Sequence, residues 1–186
     1  MRPGCVSPVS VPGVRPGCVS PVSVPVYDEG MERSDLELLR GLLLDTRVLT
    51  LALVDEGAPV AGVSPFLAAT GLQSLYVHGS RLARHMKVLA PGVAFSAALH
   101  EPDRPELDAL RLRRLLLEGE VAALGDDERA EVAERWVARF PSAAMTLGLG
   151  DFAFHRLDLR GGRMIAGFGS AFGIGPRVLA EAAALG

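Results

Sequence analysis

Between residues 48 and 78 the chain carries three short apolar runs separated by glycine-bearing turns, and no other feature limits its fold so much. Residues 48–54 end at Asp55-Glu56-Gly57-Ala58-Pro59, residues 60–67 end at Thr70-Gly71, and residues 72–78 close the series. Each run has strand length and is rich in valine and leucine. The linkers are too short for helical crossovers, so the strands are expected to pair antiparallel. The fold class that follows is mainly β with flanking helices, a closed or split barrel or a sandwich.

The flanking helices are legible from apolar spacing. Ser34-Asp35-Leu36-Glu37 has a capping-box pattern, and Leu36, Leu39 and Leu43 follow at helical intervals, which predicts a helix over 35–44. Residues 80–89 break the strand pattern: Leu82, Met86 and Leu89 recur at helical spacing, and Pro91-Gly92 stops the element. A fourth strand is expected at 93–99 and a longer fifth at 110–124. A helix over 126–140 opens with Asp126, Asp127 and Glu128, suited to a helix N-terminus, and buries Ala133, Trp136, Val137 and Phe140 before Pro141. Residues 152–159 and 163–168 read as a closing pair of strands turning at Gly161-Gly162, and 176–186 as an alanine-rich tail of open role.

The first 30 residues differ from the rest. RPGCVSPVSVP occupies 2–12 and recurs unchanged at 15–25 after Gly13-Val14, and six of the 13 prolines fall in this segment. Two copies are too few for a solenoid, and the prolines remove backbone donors. Residues 1–30 are therefore expected to be a disordered tandem-repeat extension with Met31 as the working start. Residues 31–175 would be the barrel domain and 176–186 a C-terminal tail. The only cysteines, Cys5 and Cys18, lie in the repeat, which leaves the main body without a disulfide framework or a cysteine-ligated zinc site.

Composition excludes several functions. A formal charge of -3 with 22% charged residues argues against nucleic-acid binding by bulk charge. The longest apolar stretch, 41–54, is interrupted by Asp45 and Arg47, so no membrane-spanning helix is expected, and with no signal-peptide core a cytoplasmic location is. Four histidines at no recognised ligand spacing suggest no metal site, and no G-x-S-x-G motif or other arrangement identifies a catalytic residue. An enzyme built on this chain would rely on a cofactor for its chemistry.

One segment is unusual in charge. Residues 57–100 contain no acid, whereas 22 acids spread evenly over 186 residues would put about five there. The same segment holds Arg81, Arg84, Lys87, His78, His85 and His100. Gly79-Ser80-Arg81, at a strand-to-helix junction, combines free backbone N–H groups, a hydroxyl and a guanidinium, the means by which a phosphate is held. The alternative is a basic surface helix balanced by acids elsewhere. Gly167-Phe168-Gly169-Ser170-Ala171-Phe172-Gly173 lacks the spacing of a dinucleotide fingerprint and fits a tight chain reversal at a subunit contact.

Several stretches together resemble the FMN-binding split-barrel superfamily of pyridoxamine 5'-phosphate oxidase, and within it the haem-utilisation (HugZ-like) branch. They are the three-strand opening over 49–78, GSRLARHMKVL at 79–89, LEGEVAAL at 117–124, WVARFPSA at 136–143, GDFAFHRL at 150–157 and GFGSA at 167–171. The resemblance implies a split β-barrel of FMN-binding type that dimerises with FMN at the subunit interface. It implies Ser80 and Arg81 for the phosphate with Lys87 nearby, Val63, Ser64 and Pro65 beside the isoalloxazine or ribityl chain, and His78 and His85 lining the same pocket. The second strand carries Ala61 to Phe66 where the oxidase has Arg and Lys for phosphate. Three readings follow: an FMN-dependent oxidoreductase acting on a small molecule, a haem-binding or haem-degrading protein with His85 as first choice of axial ligand, and a non-catalytic ligand carrier or interaction module.

Overall fold

The computed structural model describes residues 31–185; the expectations for residues 1–30 lie outside the described residues. Helix α1 (Arg33–Asp45) starts two residues earlier than its sequence signal, because the Glu32 N–H donates to Asp35 Oδ2 at 3.3 Å and Glu32 becomes the cap. Strands β1 (Val48–Asp55) and β2 (Ala58–Ala68) form a hairpin in which Glu56 and Gly57 both have positive φ, 50° and 81°. That is the mirror-image turn whose twist matches two-residue hairpins. Strand β3 (Ser74–Ser80), one short turn of helix α2 (Arg84–Lys87) and strand β4 (Ala94–His100) follow. A 3₁₀ turn (Ala109–Arg111) then precedes β5 (Arg114–Ala122), which is shorter than expected. Helix α3 (Asp126–Arg139), β6 (Phe152–Gly167), β7 (Ser170–Ile174) and α4 (Pro176–Ala183) complete the chain.

All strand pairings are antiparallel, in the order β3-β2-β1-β4-β5-β6-β7, and a further pairing of β3 with the first half of β6 closes the ring. This is a mainly-β split barrel. The long strand β6 makes closure possible, since its first half pairs with β3, its middle with β5 and its end with β7. The expected turn at Gly161-Gly162 is thus corrected: the strand runs straight through. Gly162 lies against the Leu116 carbonyl, where a Cβ would collide, and a Cβ on Gly161 would sit 3.1 Å from the Ile174 carbonyl oxygen. The glycines admit neighbouring backbones rather than reverse the chain. A register shift at Glu118/Gly119 leaves Arg160 as the extra residue of a bulge in β6. The reversal occurs instead at Phe168-Gly169, where Gly169 has φ of 78°.

Leu51, Phe66, Val77, Leu117 and Leu157 point into the barrel and share one core with Leu39 and Leu43 of α1 and Leu179 and Ala182 of α4. Residues 176–183, whose role the sequence left open, therefore form a helix packed on α1 and on the barrel core. A second apolar cluster lies outside the barrel, where Val132, Trp136 and Phe140 of α3 cover Tyr76 of β3 and Phe154 of β6. Residues 74–78 of β3 are consequently buried without interruption, while β1 alternates buried and exposed along its length. The outer face of β2, β1, β4 and β5 has no covering element among the described residues. Val63, Thr50, Ala98, Leu116 and Arg163 run across it in register. No described helix is long and apolar enough to cross a membrane.

Candidate functional site

Strand alternation separates the three β2 residues implied for the cofactor. Val63 and Pro65 point outward and are exposed, whereas Ser64 points inward and is buried. The Ser64 hydroxyl lies 3.1 Å from His85 Nε2 and donates toward Met86 Sδ at 3.7 Å. The half-buried His85 ring rests over Gly62, at which a Cβ would overlap the imidazole. A glycine in β2 thus lets α2 drop onto the strand, with Met86 buried in the barrel core.

The Gly79-Ser80-Arg81 junction is tied to the segment before β6. Ser80 Oγ donates to Asp151 Oδ2 at 2.5 Å and accepts the Leu82 N–H at 3.0 Å. The Arg81 N–H donates to the Asp151 carbonyl at 2.8 Å, and its guanidinium donates to the Gly150 carbonyl at 2.8 Å. A carboxylate therefore occupies the place on Ser80 that a phosphate oxygen would need, and Ser80 does not fit the phosphate role in this arrangement. Arg81 and Lys87 are both exposed, and the Arg81 side chain meets only a neutral carbonyl. Arg84 is held by Asp55 at 2.9 Å, so part of the acid-free segment is the balanced surface charge that was its alternative reading. Asp151 was missed as a site residue because nothing local links it to Ser80, 71 positions away.

His78 does not share a pocket with His85, and that expectation is corrected. The side chains of β3 alternate: Val77 joins the barrel core, while Tyr76 faces α3 on the outside. His78 follows Tyr76, so its ring lies 4.3 Å from Phe154, 5.4 Å from Phe152 and 5.8 Å from Trp136 between centroids. Burial pushes its pKa below the usual histidine value. His155, in register with Val77 on β6, is likewise lowered by burial, then by the nearby His78 and Arg129, and its Nε2 is buried with no hydrogen-bond partner. As a haem ligand His85 fits poorly, since its Nε2 is shared with Ser64 and its other edge lies on Gly62. Among the described residues no group of three or more metal-ligating side chains converges.

Neither a family model nor a curated protein matches the chain. Solved structures do. A haem-binding protein from Mycobacterium smegmatis is 25% identical with a TM-score of 0.68, over 81% of this chain and 62% of that one. Atu2129 from Agrobacterium tumefaciens, of unknown function, is 27% identical with a TM-score of 0.66, over 86% of this chain and 64% of that one. Campylobacter jejuni ChuZ, at 20% identity and a TM-score of 0.66, shares the fold over 80% of this chain and 62% of its own. This chain thus spans under two thirds of the length of each of these three.

Proposed function

From a split barrel of the FMN-binding superfamily, similar to its haem-utilisation branch, we propose a homodimer that holds a flavin or haem cofactor beside the subunit contact. The observation that carries this reading is the uncovered outer face of β2, β1, β4 and β5. Four strands about 4.8 Å apart and some seven residues of about 3.3 Å make a plate of roughly 400 Å². Val63 and Val54 on it are each 64% exposed and Leu116 is 45% exposed, among small residues such as Ala52, Ser96 and Ala98. Arg114, Glu118 and Glu120 of β5 border its apolar part; an apolar patch of this order is often functional, and a second copy offers the same face to it by two-fold symmetry. The pairing of β3 with β6 closes the ring, and the edge left over is that of β7, which pairs only with β6.

FMN is the cofactor we put first. Its phosphate would sit on Arg81 and Lys87 and its ring against Val63 and Pro65, which share the exposed side of β2. A bound flavin supplies hydride and electron transfer to a small molecule; the chain's part is to hold it and shield it from water. Haem is the second reading, favoured by the likeness to the M. smegmatis haem-binding protein and by the Ser80–Asp151 bond, which takes one expected group out of the phosphate cradle.

Absorption titrations of the purified protein with FMN and with haemin separate the two. Stoichiometric binding of FMN, weakened about tenfold to a hundredfold by Arg81→Ala and far less by Arg84→Ala, is expected. A haemin complex with no FMN binding would reverse the order. Binding of neither would leave the third reading, a carrier or interaction module.

A further inference from the structure

A separate cavity opens on the other side of β3, under α3. It has a volume of about 340 Å³ and is lined by His78, Phe152 and Phe154 from the strands, Asp126, Arg129 and Ala130 from α3, and Leu147 from the segment between α3 and β6. That volume lies at the small end of the range for ligand sites. Its floor is aromatic, with Phe154 and Phe152 flanking His78.

Two polar groups in this cavity are poorly used by the protein itself. His78 is only 8% exposed, yet neither ring nitrogen has a hydrogen-bond partner among the described residues. Its ring nitrogens are not sealed from the cavity, so water or a ligand there can complete their hydrogen bonds. Arg129, at the rim, has two long contacts: 3.8 Å to Asp126, which is itself fully exposed, and 3.4 Å to the Leu124 carbonyl. Its guanidinium is free to take a bidentate anion in place of them.

We propose that this cavity binds a small hydroxylated or N–H-bearing aromatic acid, with its ring against Phe152 and Phe154, its polar ring substituent on His78 and its carboxylate on Arg129. The aromatic floor selects a flat apolar ring. The imidazole has one donor and one acceptor to offer when neutral, and so selects a substituent able to complete either bond. The guanidinium selects the negative charge. None of these residues belongs to the proposed cofactor face, so the inference does not rest on the cofactor reading.

Trp136 is the only tryptophan of the chain and lies within 5.8 Å of His78, so its fluorescence reports on occupancy. Titration of the full chain with 4-hydroxybenzoate, followed by calorimetry and by Trp136 emission, is expected to show one site per chain. Phenol and benzoate, each missing one polar contact, should bind at least about tenfold more weakly. Arg129→Gln should weaken 4-hydroxybenzoate and benzoate and leave phenol unchanged, whereas His78→Phe should weaken 4-hydroxybenzoate and phenol and leave benzoate unchanged. Arg129 is on the surface, so its variant carries the test even if His78→Phe does not fold. The proposal is overturned by absence of binding at millimolar probe, or by binding that Arg129→Gln does not alter. Repeating the titration with FMN or haemin present should give the same affinity; competition would mean that probe and cofactor share a site and would also overturn it.

Discussion

Tyr76, His78 and Phe154 on one side of the barrel, and Thr50, Val63 and Ala98 on the other, occupy equivalent outward positions of the same kind of alternating strand. The first group is roofed by α3, and the second faces outward with no covering element among the described residues. The difference begins in residue type. The β3–β6 side presents large aromatic and polar groups: Tyr76 donates to Glu128 at 2.6 Å, Arg156 pairs with Glu128 at 3.2 Å and with Asp158 at 2.7 Å, and Ser74 donates to Asp158 at 2.7 Å. Together these fasten the start of α3 over the seam where the ring closes. Burial and the bond to Glu128 push Tyr76 up to about 12, so it remains a donor across the physiological range. The β1–β4 side presents alanine, serine, threonine and valine, which leave a smooth plate with nothing to fasten a helix of the same chain. One face is sealed from within by α3, and the other is the face proposed to meet a second copy.

Removal of the roof should have the largest effect on stability. Trp136 is 2% exposed, and Trp136→Ala is expected to cost about 3–5 kcal/mol in chemical denaturation. A loss below about 1 kcal/mol would mean that α3 is peripheral. Next comes the polar seam, where Tyr76→Phe removes the hydroxyl from Glu128 and should cost about 1 kcal/mol, lowering the urea midpoint without changing its slope.

The pH dependence of the roofed face is smaller and has a definite sign. His78 and His155 both have folded-state pKa values below 6.5 because burial disfavours the imidazolium. The unfolded chain therefore binds more protons once the pH drops below 6.5, and stability is full above that value and falls as the pH drops through the folded pKa values. Urea midpoints measured at a series of pH values should decline on the acid side, and His78→Phe should make that decline shallower. A decline as steep in His78→Phe as in the parent protein would assign it to other groups.

How far the sequence discloses this contrast depends on the range of the interactions. Strands β1 and β2 are legible because their turn is two residues long and their alternation is local. Strand β6 is not, since a glycine pair looks the same whether it turns the chain or admits a neighbouring backbone, and the Leu116 carbonyl that decides the matter lies over 40 positions away. The end of the chain held a usable signal: Val178, Leu179 and Ala182 are the buried side of α4 and recur at helical spacing. At the site, the six residues between His78 and His85 suggest proximity, but the alternation of β3 sends one outward while α2 folds the other against Gly62. Ser64 and His85 were each identified, and their mutual contact was not, because it joins a strand to a one-turn helix across 21 positions.

The smallest effect on folding should come from the bare face, and it tests the account most directly. Ala52 lies on β1, opposite Ala61 and Ser96 on the neighbouring strands, and is exposed. Ala52→Arg is expected to leave the stability of the isolated barrel within about 0.5 kcal/mol, because none of the described residues covers that position. Light scattering at micromolar concentration should give twice the 19.6 kDa chain mass for the parent protein and a single chain mass for Ala52→Arg. A monomeric parent, or a dimer indifferent to the arginine, would contradict the claim that this face is where the molecule meets its copy.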